Sequence, residues 1–234
     1  MKKYTIFVHV VSNLVIVALL FGLYLACVPD DTAVRASAPI YKAKTQEKQV
    51  AIMINVYEGT EYVERALDVL SDCGETATFF VGGVWAEKNP ELLKKIRNQA
   101  DLGNHGYLHR DHAQLSYKEN KDEIELCDKL VYAVTGKKMN LFAPPSGSLG
   151  KEMQKACDDL GYKVVMWSKD TIDWRDKDED LVYKRATTDI QNGDFILMHP
   201  TAHTIAALPK ILRFYRENGY VTATVSELLG LRLV

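Results

Sequence analysis

Two histidines spaced four residues apart are the first residues in this sequence that suggest chemistry. His105 and His109 lie in the segment Gly103-Asn104-His105-Gly106-Tyr107-Leu108-His109, directly after a short predicted strand. A helical turn would place both imidazoles on one face. Two neutral imidazoles on one face are typical of a divalent metal site, most naturally a zinc site. The alternative is a pair of solvated surface histidines, and the surrounding sequence has to decide between the two.

Polar side chains also follow several other predicted strands. These side chains are Asn55 and Glu58, Asp170 and Asp173, and His199. In parallel α/β barrels the carboxyl ends of the strands share one face, and that face carries the chemistry. A plain scaffold would not be expected to place metal-ligating or acid-base residue types at four strand ends. The pattern therefore favours a functional site.

Hydrophobic periodicity predicts strands that alternate with helices from Gln49 onward. Strands are predicted at 49–56, 77–81, just before His105, 140–143, 163–168, 194–199 and 221–225. Helices are predicted at 61–72, from Pro90, and at 116–135, 151–160, 180–190 and 205–218. This alternation implies a parallel sheet, either open or closed into a barrel.

Residues 1–29 have the pattern of a targeting segment. Lys2 and Lys3 precede an apolar stretch at 6–28. Its length suits a membrane-spanning helix or a signal segment, and the two lysines place the N-terminus inside the cell. We expect an uncleaved signal anchor that crosses the cell membrane once, with the domain outside. Secretion and a lipid anchor at Cys27 are the alternatives.

The rest of the chain divides into a predicted linker at 30–48, which is polar and aperiodic, and a domain at 49–234. The cysteines show no paired spacing, so no disulfide framework is predicted. The formal net charge of -2 gives no sign of a nucleic-acid partner.

The motifs at the strand ends resemble those of the polysaccharide deacetylase family, over residues 49–229. The family's His-x-x-x-His pair is matched by His105 and His109, its Asp-x-x-Asp-Trp motif by residues 170–174, and its Leu-x-His motif by residues 197–199. Residues 77–81 and 142–147 match in part. The resemblance implies a distorted (β/α) barrel and metal-dependent removal of N-acetyl groups from chitin-like or peptidoglycan sugars. The sequence around His199 also resembles a sporulation-associated branch.

The resemblance assigns a role to each site residue. It implies that His199 is the general acid and that Asp173 orients it. It implies a divalent metal, zinc by preference, on His105, His109 and Glu58. Substrate, an N-acetylated cell-wall glycan, is expected to contact Trp174, Pro145 and Leu197.

The first motif departs from the family pattern Thr-Phe-Asp-Asp-Gly, in which the first Asp is the general base and the second a metal ligand. If the two sequences are aligned from the start of the strand, Asn55 falls at the base and Val56 at the ligand. If they are aligned from Gly59, Tyr57 and Glu58 fall there instead. We prefer the strand alignment, with a bulged loop before Gly59 that could still aim Glu58 at the metal.

A second departure accompanies the first. Ala143 stands where the family has the Arg that pairs with the base. Loss of the base Asp together with its Arg partner makes physical sense, because a buried Arg without a carboxylate partner would be costly. General-base help is worth about a hundred- to ten-thousandfold in rate, so the site is expected to be slow rather than dead. The alternative is a non-catalytic, glycan-binding envelope protein.

Four further residues are expected to serve the scaffold. His112 and His203 are predicted at the surface, and Tyr107 and Trp85 in core or rim packing.

Overall fold

The computed structural model describes residues 9, 12–21, 23 and 37–231. The chain divides into two compact units, Met1–Arg35 and Ala36–Val234. In the first unit, residues 12–21 are helical. Among the described residues, no helix has the length and apolar character needed to cross a bilayer. Much of the predicted anchor, and residues 30–36 of the predicted linker, lie outside the described residues.

In the second unit, eight strands form one sheet whose neighbours pair in parallel. The strands are β1 (Gln49–Val56), β2 (Thr78–Val81), β3 (Asp101–Asn104), β4 (Leu141–Phe142), β5 (Lys163–Val164), β6 (Lys169–Asp170), β7 (Phe195–Met198) and β8 (Val221–Thr222). Their order is β5-β4-β3-β2-β1-β7-β6, with β8 beside the start of β1. The predicted parallel α/β architecture is confirmed, as a barrel that is incompletely closed between β5 and β6.

Helices follow most of the strands. They are α1 (Thr60–Cys73), α2 (Gly83–Lys88), α3 (Pro90–Gln99), α4 (Tyr117–Thr135), α5 (Lys151–Asp159), α6 (Glu179–Thr187), α7 (Ala202–Glu217) and α8 (Val225–Leu228), with a 3-10 turn at Pro145–Gly147. Helix α4 starts at a capping box between Ser116 and Glu119. Helix α7 starts three residues earlier than predicted, because Thr201 caps it by accepting from the N–H of Thr204.

Several observed strands are shorter than predicted, two of them by three residues or more. The predicted strand at 163–168 ends at Val164 as β5, and the chain re-enters the sheet only at β6, beyond the predicted run. The run 221–225 ends at Thr222, since Thr224 and Glu227 form a capping box that starts α8. Helix α2 was not predicted, because six residues are too few to show helical periodicity.

The alternation of side chains along β1 decides what reaches the site. Val50, Ile52, Ile54 and Val56 pack in the layer between sheet and helices. The intervening Ala51 and Met53 pack inside the barrel with Phe80 and Phe195. Because successive side chains of a strand point to opposite faces, Asn55 continues the inward row and Val56 the outward one.

Residues 37–43, here called the strap, pack against the barrel. The Ile40 N–H donates to the Val164 carbonyl over 2.9 Å, and the Met166 N–H donates to the Ile40 carbonyl over 2.8 Å. Ala43 is buried, and Lys42 Nζ lies 3.3 Å from Asp194 Oδ1. The prediction of a linker at 30–48 was therefore wrong for residues 37–43. The polar composition of this segment gave no sign that its backbone would pair with the barrel.

Candidate active site

A cavity of about 320 Å³ lies at the carboxyl ends of β1, β3 and β7. Its lining is Asn55, Tyr57, His105, His109, Ser146, Trp167, Asp170, Trp174, Leu197 and His199. The structure thus brings together five of the predicted site residues: both histidines of the pair, His199, Trp174 and Leu197. Pro145 is buried and does not line the cavity, whereas its neighbour Ser146 does.

His105 follows the last residue of β3 and is 1% exposed. Its Nδ1 lies 2.7 Å from the carbonyl oxygen of Ala143. A carbonyl only accepts hydrogen bonds, so Nδ1 carries the proton and Nε2 keeps a free lone pair. Burial, with a smaller contribution from His109, lowers the pKa of His105 to about 3. The ring is therefore neutral at physiological pH.

His109 reaches the cavity from an irregular loop, so the predicted helical turn was wrong. Gly106 (φ 73°) and His109 itself (φ 55°) adopt left-handed conformations. The carboxylate of Glu123 holds the loop by accepting from the N–H groups of Tyr107 (2.9 Å) and Leu108 (2.7 Å). This brings the rings of His105 and His109 to a centroid separation of 5.1 Å. Burial lowers the pKa of His109 as well.

The end of β1 places Asn55 and Tyr57 beside the histidine pair. Asn55 is 3% exposed, and its Oδ1 has no hydrogen-bond partner among the described residues. The ring of Tyr57 stacks on that of His109, with centroids 3.8 Å apart and an interplanar angle of 28°. Val56 pairs regularly with Val81 and is buried in the outer layer, so the preferred strand alignment and its bulged loop were wrong.

Glu58 is exposed and does not line the cavity. The chain turns away after it through Gly59 (φ 77°), where a Cβ would lie 2.4 Å from the Pro200 carbonyl oxygen. Within the part of the chain that the structure describes, no group of three His, Cys, Asp or Glu side chains could hold a metal ion. The predicted three-ligand zinc site therefore does not fit this geometry: the two imidazoles are placed together, without Glu58.

The other half of the site centres on Asp173 and His199. Asp173 Oδ1 lies 2.7 Å from His199 Nδ1, and Oδ2 accepts from the His199 N–H over 2.7 Å. Thr204 Oγ1 donates to the same Oδ2 over 2.6 Å. Burial pushes the pKa of Asp173 upward, but the hydrogen bonds and the charge of His199 outweigh it, so the net pKa lies below its usual value.

Of the two histidines predicted at the surface, one is half-buried and the other is fully buried. His203 is half-buried, and its Nε2 lies 2.7 Å from the Asp173 carbonyl oxygen, so it supports the loop that carries Asp173. His112 is fully buried under the loop of the histidine pair, with Nδ1 2.7 Å from Asn120 Oδ1. Sequence offered no sign of either contact, because both arise between separate segments. Trp85 and Tyr107 pack against the core, as predicted.

A tight loop between β6 and α6 presents Trp174 to the cavity. Ile172 adopts φ 53°, and Thr171 anchors the loop by donating its hydroxyl to the Leu197 carbonyl over 2.8 Å. Arg185 donates to the Thr171 carbonyl over 2.9 Å. Trp174 remains 59% exposed at the rim. Trp167, between β5 and β6, also lines the cavity. The sequence did not indicate this role, because an isolated Trp at a strand end is more often core.

Comparisons with known proteins agree with this geometry. The sequence profile of the polysaccharide deacetylase family matches residues 42–165. A peptidoglycan-N-acetylglucosamine deacetylase of Bacillus cereus is 31% identical over 196 residues, which are 81% of this chain and 92% of that protein. The uncharacterized protein YlxY of Bacillus subtilis is 36% identical over 192 residues. That match covers 82% of this chain and only 60% of YlxY.

A solved structure gives the same result. The crystal structure of BA3943, a CE4 family pseudoenzyme of Bacillus anthracis, superposes with a TM-score of 0.80 at 37% identity. The match covers 84% of this chain and 70% of that one. A mutant of that pseudoenzyme has restored enzymatic activity. The profile match, the curated relatives and the shared fold together establish that this chain belongs to the polysaccharide deacetylase family.

Proposed function

We propose that this domain recognises N-acetylated cell-wall glycan in the cavity and removes acetyl groups slowly or not at all. The observation that carries the proposal is the pair of side chains beside His105 and His109, which are Asn55 and Tyr57 rather than carboxylates. An amide is no base at neutral pH. Burial and the neighbouring Glu58 raise the pKa of Tyr57, so its hydroxyl stays protonated. Neither residue can therefore take a proton from an attacking water.

Among the described residues, Asp170 is the one carboxylate that lines the cavity, and it is already hydrogen-bonded. Asp170 Oδ1 accepts from the N–H of Ile172 over 2.8 Å, within its own tight loop. It is part of the structure that presents Trp174. We therefore assign Asp170 a positioning role and not the role of a substitute base.

The acid half of the site keeps the parts that proton donation needs. Asp173 binds the Nδ1–H of His199, which leaves Nε2 as the nitrogen that exchanges a proton with a bound ligand. Exposed Trp174 and buried Leu197 supply an apolar wall next to it. The cavity can thus hold a sugar and donate a proton to a leaving amine, while lacking the group that would activate water.

The relatives support both parts of the proposal. The Bacillus cereus relative is named for deacetylation of peptidoglycan N-acetylglucosamine, which supports a cell-wall glycan as the ligand. The Bacillus anthracis neighbour is named a pseudoenzyme, which supports loss of turnover. Metal dependence of this chain stays a prediction. Zinc would find two imidazole donors here, and without a third protein ligand we expect weak binding.

Acetate release from N-acetylglucosamine oligomers, measured beside the Bacillus cereus enzyme, tests the catalytic part. We expect turnover far below about 1 per second, the lower end of the usual enzymatic range. Turnover within that range would contradict the impaired site. Calorimetric titration with the same oligomers tests recognition, and we expect the Trp174→Ala variant to bind more weakly than wild type. A wild-type domain that binds no oligomer would refute the proposed ligand.

We also propose that the domain acts outside the cell membrane, tethered by an uncleaved N-terminal segment. Lys2 and Lys3 before the apolar stretch support this orientation, and a cell-wall ligand requires it. Protease added to intact cells should degrade the domain. Degradation only after lysis would show the opposite orientation. Placement in a sporulation-associated branch stays a prediction.

A further inference from the structure

We propose that Tyr57 is a sugar-stacking residue, whose ring provides a rigid aromatic platform for a pyranose of the bound glycan. The inference rests on the proposed function for the identity of the ligand, and it adds a recognition residue that the motifs of the family do not predict. Its basis is the position, exposure and support of one side chain at the cavity mouth.

The position of Tyr57 follows from the strand that precedes it. Asn55 lies on the inward row of β1, Tyr57 directly follows Val56 at the end of the strand, and both line the cavity. The strand is regular up to Val56, where it pairs with Val81 of β2. The backbone that carries the Tyr57 ring therefore starts from the centre of the sheet rather than from a free loop.

His109 supports one face of the Tyr57 ring. The ring stacks on His109 at 3.8 Å with only 28° between the planes, a parallel arrangement of two aromatic rings. His109 is itself fixed, because Glu123 binds the two N–H groups that precede it. The stack holds Tyr57 in one orientation before any ligand arrives, and this reduces the entropy that binding would otherwise cost.

The remaining surface of Tyr57 is open. The side chain is 43% exposed although one face is covered by His109, and Trp174 at the rim of the same cavity is 59% exposed. The cavity therefore presents two exposed aromatic residues to a ligand. A pyranose ring presents apolar C–H groups on its faces and hydroxyls at its edge, so it matches an aromatic platform beside a polar cavity.

Binding of an N-acetylglucosamine tetramer to three variants tests the inference. Tyr57→Phe keeps the ring and should bind as wild type does. Tyr57→Leu keeps apolar bulk without an aromatic face, and Tyr57→Ala removes both. We expect each of these two to raise the Kd by about 3- to 10-fold, the range set by the loss of one aromatic contact. Tyr132→Ala, at an exposed Tyr of α4 that does not line the cavity, is the matched control.

Saturation-transfer NMR on the same tetramer gives an independent readout. Sugar ring protons should receive less magnetisation in Tyr57→Leu than in Tyr57→Phe, at equal thermal stability of the two variants. Unchanged Kd and unchanged transfer in Tyr57→Leu would overturn the inference, and if Trp174→Ala still weakened binding, the proposed function would stand. Absence of binding by the wild-type domain would instead refute the proposed function itself.

Discussion

Asp173 and His199 are joined by two hydrogen bonds of 2.7 Å each, one to the imidazole Nδ1 and one to the backbone N–H. The carboxylate thus fixes both the backbone of the strand end and the tautomer of the ring. Thr204 donates a further hydrogen bond to Asp173. The carboxylate is therefore hydrogen-bonded although it is fully shielded from water. The same contacts therefore serve both the chemistry of His199 and the stability of the fold.

The first prediction follows from that pairing. Asp173→Asn should lower the free energy of unfolding at pH 7 by about 1.5–3 kcal/mol, the range for hydrogen bonds to a charged group. The native pKa of Asp173 is depressed, so its stabilisation is complete above the unfolded pKa of about 3.9 and is lost as pH falls through the native value. Urea denaturation should therefore show a wild-type advantage at pH 7 that shrinks below about pH 4.

Asp72→Asn, at an exposed position at the end of α1, is the control for this experiment. It should change stability by less than about 0.5 kcal/mol at either pH. A difference between wild type and Asp173→Asn that stays constant down to pH 3 would contradict the assigned direction of the pKa shift.

The second prediction concerns repair of the site. Tyr57 faces the histidine pair, so Tyr57→Asp with Glu58→Asp and Ala143→Arg places a carboxylate and its cationic partner at the cavity. A working base is worth about a hundred- to ten-thousandfold, and we expect acetate release to rise at least about tenfold over wild type. No gain in a folded triple variant would show that loop geometry was lost along with the side chains.

The alternative triple change, Asn55→Asp with Val56→Asp and Ala143→Arg, provides the contrast. Val56 is fully buried in the apolar layer between the sheet and the helices. An unpaired carboxylate there should cost several kcal/mol and prevent cooperative folding. Thermal melting followed by circular dichroism distinguishes the two repairs. If the variant with Asn55→Asp, Val56→Asp and Ala143→Arg were well folded and active, the alignment from the start of the strand would be correct after all.

The third prediction addresses metal binding. Zinc should bind the wild-type domain weakly, and His105→Ala should abolish the binding, since the proposed site consists of the neighbouring imidazoles of His105 and His109 and, within the described part of the chain, no group of three ligands is present. Calorimetric titration measures both. Cys73→Ser is the control, because Cys73 is a free and partly exposed thiol that could capture zinc adventitiously. Equal zinc affinity of wild type and His105→Ala would place the ion elsewhere.

The fourth prediction tests how Glu123 supports the loop that carries His109. Glu123→Gln keeps the shape of the side chain and removes the charge that binds the N–H groups of Tyr107 and Leu108. We expect a loss of about 1.5–3 kcal/mol in unfolding free energy and faster hydrogen exchange at these two amides. Glu125→Gln, two residues further along α4 and paired with Lys129, should leave the exchange of both amides unchanged.

Much of the scaffold was predictable, because it depends on local pattern. The buried run of β1 and the amphipathic α4 were predicted within one residue of their observed ends. The motif residues His199, Asp173 and Trp174 meet where parallel strand ends converge, as expected. These features follow from periodicity and from the shared direction of the strands.

The remaining features depend on contacts that no local pattern encodes. Left-handed backbone at His109 and Ile172 is rare for residues with a Cβ, and tertiary hydrogen bonds hold it in place. The direction of the Tyr57 side chain depends on where β1 stops pairing, which is at Val56, one residue before Tyr57. Pairing of the strap with distant strands likewise left no periodic signal in a polar segment.

The strap has a consequence for how the domain behaves in solution. β5 lies at one end of the sheet, and Ile40 covers part of its backbone by pairing with Val165. A domain cut at Gln49 would leave those N–H and C=O groups open to another chain. We expect such a truncation to self-associate edge to edge at concentrations where a domain that starts before Ser37 stays monomeric, as light scattering would reveal. We therefore expect residues 37–43 to keep this edge of the sheet from pairing with another chain.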